Sequence, residues 1–430
     1  MTRMNKHKTL FFFILFYNYT EIIIKFNFRG DMSISEKTYR KIEVDPSARN
    51  AVLSGHPWIF SGKIKSSLND YSNGEIVFVG CEGKFLGTGF VSPKNSIAVR
   101  MISRERVELS KHFFRKRFQD LNFMKRKFLS QDTDMYRLCF SESDFLPGLI
   151  VDIYGRIAVI QTNCAGMMNL REIIAETLME TLLLEGVIDR TDADTYKIEH
   201  FDTGLPSNLF WGREQQMPVV CMENGIKFYV DLIRGHKTGF YLDQRENREI
   251  IKKASTGVNV VNICSYTGGF SIYALSAGCR SVTSVDTSKT ALSILQQNVE
   301  LNDLSVKKSI IVAGDMFDYI LNEDLSVFDI IIVDPPAFAK HTTERERAIG
   351  AYKTINSAIM KKAKRGALIF TSSCTSVVSM DMFAEIITKA IRDSRKDVNI
   401  VKRTSLPADH SSLVNFNETE YLKSFLLHVN

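Results

Sequence analysis

The sequence predicts an α/β fold built on a mostly parallel seven-stranded sheet and preceded by two smaller domains. Three observations carry that expectation. From about residue 258 onward, continuous apolar runs alternate with helical patterns, as in a parallel sheet buried on both faces. Between 38 and 103, the short runs "EIVFVG", "KFLGTGFV" and "SIAVRMI" are separated by glycine turns, as in a small all-β module. A chain of 430 residues also exceeds what one ordinary core organises.

Taken in order, the first element is an extension over 1–37. Its apolar run "LFFFILFYNYTEIIIKF" is interrupted by Asn18 and Glu21, short of an uninterrupted membrane span. It is rich in Lys, Asn, Phe, Ile and Tyr and has no small-residue cleavage site after it. The preferred reading is a non-native or disordered extension with Met32 as the true start; a signal anchor is the alternative. The β module over 38–103 follows, with "HPWIFSGKI" near its start. Trp58 and Phe60 read as core, Lys63 and Lys65 as phosphate contacts.

A central α+β domain is expected over 104–205. Its helix, near 111–128, places Phe114, Phe118, Leu121 and Met124 on one face and carries seven cations against one acid. That charge reads either as a solvated face or as a phosphate-contacting one. The segment 136–162 reads as a strand, a Pro-Gly turn and a hairpin. The catalytic domain is placed at 206–430. Its seven strands are "VNVVNI", "SVTSV", "KSIIVAG", "FDIIIV", "GALIFTSS", "VNIVKRTSL" and "YLKSFLLHV".

The net charge of +6 allows a nucleic-acid partner without demanding one. Seven cysteines without a CxxC pair argue against a disulfide framework or a zinc site. Reduced thiols in a cytoplasmic protein, with no metal and no stable membrane association, are the expectation. The oligomeric state stays open, a homodimer being the one considered.

Ligands of open α/β sheets sit beyond the carboxyl ends of the strands. Three strand ends here carry polar residues suited to one ligand. "NICSYTGGFS" offers Gly268 and Gly269 for close backbone approach at a helix N-terminus. Asp286 is placed to bond ribose hydroxyls, and Asp315 an adenine amino group. Each also reads as an ordinary helix cap. The pattern is not GxGxxG, which favours adenosine without pyrophosphate, and S-adenosyl-L-methionine fits. In "VDPPAFAKH" the prolines fix the chain sharply after Asp334, aiming it at the transferred methyl group.

"FTSSCTSVVSM" then places Cys374 at the end of the fifth strand, next to the fourth. It is either a buried structural thiol or a nucleophile. A polar setting at a helix N-terminus is expected to lower its pKa and populate the thiolate. Adding that thiolate to carbon 6 of a pyrimidine makes carbon 5 nucleophilic toward a methyl donor. Asp334 would hold the ring's polar edge.

The stretches "HPWIFSGKI", "LPGLIVDIYG", "GHKTGFYLDQRENR", "SYTGGFSIYALSAGC", "SVDTSKTALSILQQNVELN", "VDPPAFAK", "SSCTS" and "DHSSLVNFNETEYLK" occur together and in order. On them, residues 38–430 resemble the PUA-domain class I methyltransferases that make 5-methylcytosine in large-subunit ribosomal RNA. The resemblance implies a PUA barrel, a small α+β domain and a Rossmann-like catalytic domain. It implies Cys374 as nucleophile, with Asp334 in the same catalytic site. It also implies a donor pocket of Gln244, Tyr266, Thr267, Gly268, Gly269, Phe270, Asp286, Thr287, Asp315, Met316 and Asp334. Ala337 departs from relatives that carry lysine there, and "CFSESDF" is more polar than the pattern. Two other readings remain: methylation of an exocyclic base nitrogen, which needs no cysteine, and a non-catalytic RNA-binding assembly factor.

Overall fold

The computed structural model describes residues 39–201 and 209–430. The expected extension over 1–37 lies outside the described residues. Residues from Tyr39 onward form one compact unit.

Five strands make the N-terminal sheet, in the spatial order Arg40–Glu43, Ile76–Cys81, Lys84–Val91, Ile97–Ser103, Trp58–Phe60. Alternate residues Ile42, Val77, Val79, Val91 and Val99 fill its core. The module is not all-β, because a helix spans Pro46–Leu53. The local signal is "DPSA": Asp45 accepts a bond from the Ser47 amide at 2.8 Å, and Pro46 opens the first turn. The two aromatics placed in this core are not there. Phe60 is 48% exposed. Trp58 sits at a seam, donating from Nε1 to Glu142 at 2.8 Å and meeting Phe416 edge-on at 4.7 Å. A buried indole needs a partner for its N–H, and the central domain supplies one.

The central sheet runs Leu209–Gly212, Gly186–Asp189, Ile157–Thr162, Leu149–Tyr154, Met135–Phe140. Leu209–Gly212 pairs antiparallel with Gly186–Asp189, so this sheet extends past the boundary expected at 205. The helix Lys111–Arg126 packs Phe114 and Phe118 inward as its spacing predicts. Its charge is largely spent within the protein. Lys111 and Arg115 pair with Glu180, Lys125 is buried against Asp144, and Arg126 donates to the Thr133 carbonyl. Four of the seven cations are thus engaged, while Lys116 and Lys127 are exposed.

The catalytic domain contains β1 (Asn259–Ile263), α1 (Gly269–Ser276), β2 (Ser281–Asp286), α2 (Lys289–Leu301), β3 (Ser309–Ala313), α3 (Met316–Asn322), β4 (Ile330–Val333), α4 (Arg345–Lys362), β5 (Leu368–Ser373), α5 (Met380–Ser394), β6 (Val398–Thr404) and β7 (Lys423–Val429). The strand order is β3-β2-β1-β4-β5-β7-β6, with β7 antiparallel to both neighbours. The chain reverses order between β1 and β4, which opens the crevice at their carboxyl ends. Ile330–Val333 is fully buried, matching its unbroken apolar run. The domain is tied to the central one by buried charges. Asp409 accepts from Arg245 at 2.8 Å and from the Arg137 amide at 3.0 Å. Ser411 joins the Lys125–Asp144 pair.

Candidate active site

At the donor end of the crevice, β1 leads into a turn whose backbone is left-handed at Cys264, Tyr266 and Gly268. At Gly268, φ is +85°, and a Cβ would meet the Leu295 side chain at 2.5 Å. Only glycine fits there without strain. Asp286 fixes the turn by accepting from the Tyr266 amide at 2.8 Å and from the Ser288 amide at 2.9 Å. Asp315 caps α3 through one oxygen, which accepts from the Phe317 and Asp318 amides; among the described residues its other oxygen has no hydrogen-bond partner. Capping and ligand binding are therefore compatible at both carboxylates.

The other donor residues divide by side chain. The Tyr266 ring stacks on His236 at 4.7 Å, and its hydroxyl accepts from the His236 amide at 2.8 Å. Thr287 is exposed beside Asp286. Met316 is buried, its sulfur 3.5 Å from the Cys264 sulfur. Phe270 turns into the core against Phe370 at 5.2 Å, so it has only backbone to offer a ligand. The hydroxyls of Ser265 and Thr267 are buried without partners among the described residues. Buried polar groups are normally satisfied. Two orphan hydroxyls, a left-handed glycine turn and two carboxylates with acceptor capacity left beside their amide bonds fit a polar adenosyl and amino-acid ligand.

At the other end, β4 and β5 run side by side, Val333 opposite Thr371. Asp334 follows β4 and accepts from Ser372 and, at 3.0 Å, from Gln244 Nε2. The Gln244 carbonyl accepts from Asn247 at 2.6 Å. Both ends of that amide are thus occupied. Gln244 thereby orients Asp334 through one of its two Nε2 protons. Burial raises the Asp334 carboxyl to about 6, against the pull of the Ser372 bond.

Cys374 lies one residue past β5, partly exposed, with its sulfur 3.8 Å from the Pro335 carbonyl. The fourth and fifth strand ends are thereby brought together as expected. The thiolate expectation is not met. Cys374 is not at a helix N-terminus, since α5 is capped by Ser379. Burial, with the Asp334 charge beside it, pushes the thiol up to about 11. The next residue, Thr375, is locked by Tyr352 at 2.8 Å and by the Phe338 amide at 3.2 Å.

Several residues around this site escaped sequence reasoning. Lys237 pairs with buried Asp243 at 2.5 Å, and Tyr421 donates to the same carboxylate at 2.7 Å. Lys237 and these hydrogen bonds, with His410 nearby, hold Asp243 well below the usual carboxylate range despite its burial. The stretches "GHKTGFYLDQRENR" and "NETEYLK" contain these residues, but their proximity needs the tertiary fold. Among the described residues no cluster of His, Cys, Asp and Glu is arranged to hold a metal ion.

With this geometry in place, comparison with known proteins is direct. Residues 210–392 match the S-adenosylmethionine-dependent methyltransferase family, and residues 42–104 match a PUA-like domain. A protein of Pseudoalteromonas translucida named ribosomal RNA large subunit methyltransferase I is 36% identical over 87% of this chain and 95% of its own length. Its namesake in Klebsiella pneumoniae is 33% identical over 92% of this chain and all of its own. The chain belongs to the ribosomal RNA large subunit methyltransferase I family. A methyltransferase solved with S-adenosylhomocysteine superposes with a TM-score of 0.77 at 25% identity, covering 90% of this chain and 99% of that one. This family member is thus a methyltransferase that uses S-adenosylmethionine, carried on a Rossmann-like domain behind a PUA-like one. Among the described residues, no helix is long and apolar enough to cross a membrane.

Proposed function

We propose that this protein transfers methyl from S-adenosylmethionine to carbon 5 of a cytosine in large-subunit ribosomal RNA, through a covalent bond between Cys374 and the base. The observation that carries the reading is the pairing of strand ends: Cys374 and Asp334 adjoin, with the donor turn on the neighbouring strand. The relatives' names supply the RNA, and a cytoplasmic location goes with that substrate. Bound S-adenosylmethionine supplies an electrophilic methyl group.

The chain's own groups do the rest. The Cys374 thiol gives its proton to the Asp334 carboxylate beside it and the sulfur adds to carbon 6. Asp334, whose carboxyl titrates near 6, carries a proton at neutral pH often enough to give it to ring nitrogen 3. Carbon 5 becomes enamine-like and takes the methyl group. The carbon-5 proton then leaves to a base, the nitrogen-3 proton returns, and the sulfur is expelled. Gln244 and Ser372 hold Asp334 in one orientation throughout. A paired target base must be extruded first. Lys65 is exposed for phosphate, and Lys63 is already bonded to Ser47 at 2.9 Å.

The test is chemical identification of the product. Large-subunit RNA is incubated with protein and methyl-labelled donor, digested to nucleosides and resolved by mass spectrometry. Label in 5-methylcytidine is expected. Label on an exocyclic nitrogen overturns the reading and favours the alternative to which Asp-Pro-Pro sequences are suited. Donor binding without transfer favours an assembly factor.

A further inference from the structure

Lys423 opens β7 directly opposite Ser373, the last residue of β5. It is 2% exposed. Its ammonium donates to the Thr375 carbonyl at 2.7 Å and to the Tyr421 carbonyl at 2.8 Å. Among the described residues no carboxylate pairs with it. A buried ammonium held by carbonyls alone is costly, and an apolar chain of the same length would fill the slot more cheaply. Its place is specific: it clamps the residues on both sides of Cys374, one through strand register and one through a hydrogen bond.

We propose that Lys423 is a positioning residue, fixing the Ser373–Thr375 turn and supplying the counter-charge that lets Cys374 ionise in a buried site. This rests on the reading of Cys374 as nucleophile.

The charges around Cys374 come from every element packed against it. Asp334 and Asp243 oppose ionisation, whereas Lys237 and Lys423 favour it. Tyr241 and Tyr352 adjoin it, both raised by burial and neutral at physiological pH. Lys237 is already committed to Asp243. Lys423 is the cation without such a commitment, and a charge on Cys374 is what favours its ammonium form against burial. Burial lowers Lys423 to about 8, and because each group's charge shifts the other, the two titrate as a pair. The first proton lost leaves either a neutral amine beside a thiol or an ammonium beside a thiolate. The second form is the reactive one.

The experiment compares wild type with Lys423→Met. Alkylation of Cys374 by iodoacetamide is followed against pH by peptide mass spectrometry, with melting temperature measured alongside. We expect the alkylation midpoint to rise by about one pH unit and the rate at pH 8 to fall about tenfold. Methyl transfer should fall with it, its pH optimum moving alkaline. A folded Lys423→Met protein with an unmoved midpoint overturns the proposal. If Lys423→Met does not fold, the reciprocal measurement decides. The Lys423 Nζ resonance is titrated in lysine-labelled wild type and in Cys374→Ser. A lower midpoint in Cys374→Ser is expected because coupling is mutual; equal midpoints overturn it. Retained turnover in Cys374→Ala would instead sink the nucleophile reading and leave these titrations standing.

Discussion

The donor and acceptor ends of the crevice are built differently. At the donor end, Asp286 and Asp315 are held by backbone amides, Asp286 by those of Tyr266 and Ser288 and Asp315 by those of Phe317 and Asp318. At the acceptor end, Asp334 and Cys374 are partly buried among side chains that come from far along the chain: Gln244, Asp243, Lys237 and Lys423. Backbone amides hold a carboxylate in place to bind. Enclosure by distant elements changes its protonation. The donor end therefore binds, and the acceptor end carries the proton chemistry.

That contrast is broken most severely at Cys374. Cys374→Ala should abolish methyl transfer, by about 10⁴-fold or more, as when a covalent nucleophile is removed. Donor binding by calorimetry and melting temperature should stay near wild type.

Asp334→Asn comes next. Turnover should fall about 10²–10⁴-fold, and the pH–rate profile should lose its limb near 6. Stability provides a second readout with a definite sign. The folded carboxyl titrates near 6 against 3.8 unfolded, so its contribution is full below pH 4 and is lost as pH rises through 6. Chemical unfolding should show Asp334→Asn gaining on wild type by up to about 3 kcal/mol across that window. A pH-independent difference would mean that the carboxylate is not strained by burial.

At the donor end the effects should be smaller and confined to affinity. Asp286→Ala should weaken S-adenosylmethionine about ten- to hundredfold, since a charged acceptor and the anchor of the Tyr266 turn are both lost. Gly268→Ala should destabilise the fold by about 1–3 kcal/mol, through positive φ and the Leu295 contact, and weaken the donor alongside. Asp315→Asn should be mildest, within about tenfold, because Asp315 is exposed and Asn still caps a helix. Calorimetric titration ranks all three. A turnover defect at saturating donor in any of them would blur the division of labour.

The same division explains what the sequence disclosed. The alternation of strands and helices, the Gly-Gly turn and the strand-end aspartates follow from local periodicity and turn chemistry, and the structure has them where they were expected. The helix Pro46–Leu53 was equally local in its Asp-Pro cap, but strand alternation on either side concealed it. What eluded the sequence was set by distance along the chain. Phe270 points into the core because Phe370 is there, and Trp58 faces Glu142 across a domain seam. The Cys374 environment could not be inferred from its serine and threonine neighbours. Its ionisation depends on Asp334, 40 residues earlier, and on Lys423, 49 residues later.

The central claim is that a sulfur–carbon bond forms between Cys374 and the target base. It is tested most directly with RNA carrying 5-fluorocytidine at the methylated position. Fluorine cannot leave carbon 5 as a cation, so the last elimination stalls. A donor-dependent adduct that survives denaturing electrophoresis, with its RNA mass on the Cys374 peptide and absent in Cys374→Ala, is the expected result. Continued methylation of ordinary RNA with no trapped species would contradict the account.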